Sequence, residues 1–222
     1  MSEKDNIEKL MKSKNMQFRD FNITNIETRS EDEKSEKLII EGTPVVFDSE
    51  TVLFKMGNDA YCEVIERTAL DEADMSDTIF NKNHCGRVFA RTRNDSLKLN
   101  KTDDGLKMYT ELWNDDEGHK ELYRDIQRGL VDKMSFAFTV TDDEFKNFEA
   151  DKNGVVKHLR TIKKIDKLFD VSAVDMPAYD STSISARNVF DAESERRNSE
   201  SKAAESRKRA LKLKLKIRKE LA

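Results

Sequence analysis

The sequence predicts a mainly β fold with peripheral helices, of the α+β class, arranged as a barrel or sandwich. Short runs of alternating apolar and polar residues recur along most of the chain, as half-buried strands require. Turn-forming groups such as Asp103-Asp104-Gly105 separate them. Helical spacing is confined to a short stretch after Thr68, a longer one after Asp115, and the terminal segment.

Residues 1–15 are polar and read as a weakly structured arm. Phe18, Phe21, Ile23 and Ile26 alternate well enough for a strand over 16–29. The next strand covers 38–47, where Gly42 and Pro44 suggest a bulge or edge. Tyr61 to Ile65 is strand-like, and Thr68 is placed to cap a helix over 69–75. Thr78 to Asn83 leads to His84, and 88–93, 96–100 and 106–113 read as further strands. Asp115 or Asp116 opens a helix with Leu122, Tyr123, Ile126 and Leu130 on one side, and Gly129 ends it. A strand over 132–140 follows, then a polar loop over 142–154, strands over 158–165 and 168–174, and a close to the body at Pro177-Ala178-Tyr179.

The chain has 222 residues, enough for one domain of about 150 residues plus tails. At 36% hydrophobic and 38% charged, it builds one core without covering its whole length. Cys62 and Cys85 offer neither a disulfide framework nor metal-ligand spacing, which suits a reduced compartment. The charged start lacks an apolar signal-peptide core. No apolar run approaches the roughly 18 residues of a membrane span, so a soluble cytosolic protein is expected. From Asp191 onward there are 11 Lys or Arg against 6 Asp or Glu; this net +5 sits beside a body of −9. Such a tail suits docking onto an acidic surface, whether its own body, a partner or nucleic acid.

The most informative stretch is Asp132 to Val140. Met134, Phe136, Phe138 and Val140 share one face, while Ser135, Ala137 and Thr139 share the other, leaving room to approach Ser135. A serine hydroxyl is a weak nucleophile until a neighbouring base takes its proton. His84 is the candidate base, because His119 opens a charged helix and His158 sits in a lysine-rich strand. A third group must orient the imidazole, and Asp170, an acid in an otherwise apolar strand, is the candidate. Each also has a plain structural reading: an outer-face serine, a structural histidine, a surface acid. Cys85 adjoins His84, but neighbouring side chains on an extended chain point apart. His84, Cys85 and His119 are too scattered for zinc, and no nucleotide-binding glycine pattern is present, so no cofactor or metal is expected.

Asn83-His84, Met134-Ser135-Phe136, Asp170-Val171-Ser172-Ala173-Val174 and Pro177-Ala178-Tyr179 occur in an order that resembles the HK97-type prohead proteases of tailed bacteriophages. Gly42 to Phe47 and Glu63 to Leu70 add to the likeness, which spans 16–187 and leaves a charged tail over 188–222. The resemblance implies a closed β-barrel wrapped by helices, related to the herpesvirus assemblins. It implies a serine endopeptidase with Ser135 as nucleophile and His84 as base. Asp170 stands where Glu is usual, Cys85 where Asp is frequent and Ala137 where Gly is frequent. The implied substrate is the major capsid protein with its scaffold segment, cut inside the assembling prohead in the host cytoplasm, together with self-cleavage. The portal protein and a second copy of the chain are further implied partners; membrane and direct nucleic-acid binding are not. Backbone amides must supply the oxyanion hole, for which a turn near Arg160 is considered. The alternative is a non-catalytic capsid scaffold or capsid-binding protein of the same fold, against which a retained Ser135 and His84 argue.

Overall fold

A computed structural model describes residues 16–21, 26–29, 37–175 and 179–220. Its strands are β1 (Gln17–Phe21), β2 (Ile26–Arg29), β3 (Lys37–Val46), β4 (Thr51–Met56), β5 (Asp59–Ile65), β6 (Ile79–Lys82), β7 (Cys85–Arg91), β8 (Leu97–Lys101), β9 (Gly105–Trp113), β10 (Lys133–Asn147) and β11 (Val156–Val174). The described helices are α1 (Glu117–Gln127) and α2 (Tyr179–Glu220). This is the expected mainly β, α+β class. The expected arm over 1–15 and the residues Pro177 and Ala178 lie outside the described residues.

The strands form two sheets, and among the described residues their pairings do not close into the barrel that the resemblance implies. One sheet runs β2-β3-β9-β8, antiparallel throughout. The other runs β1-β10-β11-β5-β4, with β6 on β11 and β7 on β6. β11 organises this second sheet. One of its edges pairs with β10 along nearly its whole length; along the other, Val156–Ile162 pair with β5 and Asp170–Ala173 with β6, both parallel. An isolated bridge from Asp74 to Lys167 fills the gap between β5 and β6.

Several boundaries differ from the sequence reading for identifiable reasons. The expected strand over 16–29 is two strands in different sheets. β10 continues to Asn147 where a loop over 142–154 was expected, and β11 is continuous where two strands were expected. The β10–β11 ladder shifts register between Ala137 and Phe138 and again near Thr139, Val140 and Asp142. Each shift breaks the period-2 pattern while bending and twisting the ribbon. β4 has no counterpart in the sequence reading. Gly57-Asn58 joins Met56 to Asp59 as a two-residue hairpin loop, with Gly57 at φ 59°. The expected helix over 69–75 is a single 3-10 turn, Arg67–Leu70, with Glu66 rather than Thr68 at its N-cap and no side-chain cap bond; four residues beyond it, Asp74 bridges to β11.

Other expectations hold. The ladder shifts between Gly42 and Val45, at the anticipated bulge. Gly105 faces the same segment: a Cβ there would lie 2.2 Å from the Val45 carbonyl oxygen. Asp116 caps α1 by accepting from the His119 amide at 3.1 Å, and Gly129 follows the helix at φ 69°. Leu122, Tyr123 and Ile126 are buried, whereas Leu130 turns out to be exposed.

Met134, Phe136 and Phe138 are fully buried, as the alternation of β10 predicts. Burial of each such side chain contributes about 1.5–3 kcal/mol. They join Ile40, Leu106, Leu122, Ile162 and Val171 in one core. The chain divides into two compact units, Met1–Ser183 and Ile184–Ala222. The second is helical to Glu220 and carries pairs at helical spacing, Arg197 with Glu193 and Arg196 with Glu200. Among the described residues no helix is long and apolar enough to cross a membrane.

Candidate active site

The strand register brings the site together. Direct partners in a sheet share a face, and Ser135 on β10 pairs with Ser172 on β11, which pairs with Asn81 on β6. One row along, Ala137 pairs with Asp170. Ser135, Ser172, Asp170 and Asn81 therefore lie on the face opposite Met134, Phe136 and Phe138.

His84 reaches this face from a hairpin. Lys82 pairs with Cys85, so Asn83 and His84 form a two-residue loop between β6 and β7. Both have positive φ, 56° and 57°, as a type I′ turn requires, and Gly86 follows at 70°. The turn thus centres on Asn83 and His84 themselves. A histidine in the left-handed region is strained and needs its surroundings to hold it. The Asn83 amide donates to the Ala173 carbonyl at 3.0 Å, and Asn83 Nδ2 donates to Asp175 at 3.1 Å. Lys82 pairs with Asp125 of α1 at 2.9 Å. Arg87 grips Asp116 with two bonds, at 2.8 and 2.6 Å. These bonds from Arg87, with the His119 amide, hold the Asp116 carboxyl well below its usual range.

The three residues expected from sequence meet. His84 Nε2 lies 2.5 Å from Ser135 Oγ, and His84 Nδ1 lies 2.7 Å from Asp170 Oδ1. An ionised carboxylate only accepts, so this contact favours the tautomer with the proton on Nδ1 and a bare Nε2 toward the hydroxyl. Phe18 packs its ring edge-on to the imidazole at 4.5 Å. Asp170 is 6% exposed and Ser135 0%, so neither has its plain surface reading. Ser135 Oγ also lies 3.0 Å from the Arg19 carbonyl oxygen of β1. One hydroxyl proton thus faces two acceptors, Nε2 and this carbonyl.

The other polar candidates have structural places. His119 is buried rather than exposed, its Nδ1 accepting from the Trp113 amide at 3.0 Å. His158 pairs with Asp59 at 2.8 Å. Burial pushes the Cys62 thiol up to about 11, with Glu50 adding to it, which disfavours a reactive thiolate. Arg160 is not in a turn: it lies within β11, 2% exposed, bound to Glu63, Gln17 and Asp143. Among the described residues no group of three His, Cys, Asp or Glu is placed to hold a metal.

Sequence reasoning missed Ser172, Asn81 and the buried pair of Arg19 and Glu63. Ser172 was legible in principle, since two residues beyond Asp170 on a strand is the same face. Arg19 and Glu63 come from distant strands, and nothing local links them.

A hydroxyl, an imidazole and a carboxylate in one hydrogen-bonded line form the arrangement of a serine hydrolase. The chain belongs to the Caudovirus prohead serine protease family, which it matches over residues 24–196. Comparison with curated proteins and with solved structures gives no match. Membership makes the chain a serine peptidase of the class tied to phage capsid maturation.

Proposed function

We propose that this chain is an endopeptidase that cuts capsid protein and its scaffold segment inside the assembling prohead, and also cuts itself. The observation that carries the proposal is the line from Ser135 Oγ through His84 to Asp170, with links of 2.5 and 2.7 Å. Ser135 attacks the peptide carbonyl as His84 Nε2 takes its proton. The imidazolium then returns that proton to the leaving amine, and Asp170 stabilises it meanwhile. For the attack the Ser135 proton must turn from the Arg19 carbonyl toward His84 Nε2. The kinship with assemblins, and the closed barrel with it, rests on the resemblance alone and enters no step.

The test is co-expression with the cognate capsid protein and mass mapping of the products. His84→Ala should cut product formation nearly as much as loss of Ser135, because the members act as a unit. Asp170→Asn should cost less, about 10²- to 10⁴-fold, and Asp170→Glu should keep much of the activity. A neutral Asp170→Ala in a folded chain would move the orienting role elsewhere.

The tail belongs to the same proposal. Residues 191–222 carry net +5, and this segment holds the enzyme to an acidic surface in the growing shell until it is trimmed. Deleting 191–222 should lower the enzyme found in proheads while sparing cleavage in solution. Salt should weaken the retention of the intact chain, since exposed charges are screened over about 10 Å at 0.1 M. Normal packaging of the deleted form would refute this role.

A further inference from the structure

Ser172 and Asn81 adjoin the Ser135–His84–Asp170 line, and the steps above leave them unused. Ser172 Oγ is 3.0 Å from His84 Nδ1 and 3.0 Å from Asp170 Oδ1, and it also meets Asn81 Oδ1. Ser172 is 0% exposed and Asn81 3%, so these contacts are not surface accidents. A buried polar group without a partner is costly, which favours a fully satisfied arrangement.

Proton accounting gives the arrangement a direction. A hydroxyl has one proton and two acceptor lone pairs. The Ser172 proton goes to Asn81 Oδ1 or to the Asp170 carboxylate, and a lone pair then faces Nδ1. The outcome is the same if the other end of the Asn81 amide faces Ser172: the amide donates to Oγ, and the Ser172 proton goes to Asp170. A Ser172 proton turned toward Nδ1 would set that nitrogen's lone pair against an ionised Asp170 carboxylate at 2.7 Å, so in the favoured arrangements Nδ1 meets two acceptors and no donor. An imidazole so placed keeps its proton on Nδ1 and leaves Nε2 bare toward Ser135.

We propose that Ser172, held by Asn81, is a positioning residue for the peptidase reaction, fixing the tautomer and ring orientation of His84 and the direction of the Asp170 carboxylate. This inference rests on the peptidase reading of the site. The register supports it: Ser135, Ser172 and Asn81 are consecutive partners across three strands. The strained turn at His84 calls for such a hold on the Nδ1 side, beside the Asp170 contact there and the Ser135 and Phe18 contacts elsewhere on the ring.

The test uses full-length Ser172→Ala, Asp170→Asn and the double variant, with Asn81→Leu as a second way to unseat Ser172. Two readouts are taken: the rate at which a fluorophosphonate labels Ser135, and the ¹H–¹⁵N spectrum of the histidine rings. The chain has three histidines, so a His84→Gln sample assigns the His84 signals. Ser172→Ala should slow labelling about tenfold or more and shift the His84 signals from one tautomer to a mixture. Asn81→Leu should move both readouts the same way by a smaller amount. The double variant should label within about twofold of Asp170→Asn alone, because both groups act through one imidazole. The proposal is overturned if the two single losses multiply in the double variant. It is equally overturned if Ser172→Ala leaves the His84 spectrum as in the unaltered chain. If no form of the protein is labelled at Ser135, the peptidase reading fails separately, and the spectrum still decides whether Ser172 sets the tautomer.

Discussion

Ser135→Ala is expected to abolish cleavage of capsid protein, by about 10⁶-fold, with the fold kept intact. The change removes one oxygen from a fully buried position and adds no volume. It leaves the Arg19 carbonyl and His84 Nε2 without the hydroxyl between them, a stability loss of about 1 kcal/mol. Small stability loss with complete loss of turnover distinguishes a nucleophile from a packing residue. Urea unfolding beside product mapping measures both. Near-normal cleavage by the variant would remove Ser135 from the chemistry.

The largest expected loss of stability is at Glu63. Its carboxylate takes two bonds from Arg19, at 2.5 and 2.8 Å, and one from Arg160 at 3.0 Å. All three side chains are 3% exposed or less. Glu63→Gln would leave two buried guanidinium groups without their shared counter-charge, at about 3–5 kcal/mol. Burial by itself raises the Glu63 carboxyl, but the Arg19 and Arg160 charges and their hydrogen bonds outweigh it and hold it below the usual range. The sign of the pH effect follows. A depressed folded value adds stability above the unfolded value, about 4.3, and that stability is lost as pH falls through the folded value. Unfolding curves should therefore show the unaltered chain approaching the Gln variant as the solution is acidified. A constant gap at all pH values would mean that folding does not shift the Glu63 carboxyl at all, against the ion-pair account. The same cluster seats β1 beside Ser135, so Glu63→Gln should also disturb labelling at the site.

The sequence carried the site further than it carried the topology. Ser135 was legible because its strand alternates cleanly between large buried and small side chains. Asp170 was legible because an acid in an apolar strand needs a partner. His84 stood out among three histidines, but its turn was not legible: a histidine at positive φ is unusual, and tertiary bonds from Asn83 and Lys82 hold it there. The long β10–β11 ribbon was cut into pieces because each bulge resets the alternation on which strand recognition depends. The division of β11 between β5 and β6 had no local signal, since it depends on which strands reach each part of one edge.

The most direct test of the central claim is mass mapping after fluorophosphonate treatment of enzyme that is cleaving its co-expressed capsid protein. The account predicts one adduct, on Ser135, that is lost in His84→Ala and strongly reduced in Asp170→Asn. An adduct on another serine, or cleavage that proceeds with Ser135 unmodified under saturating reagent, would contradict it.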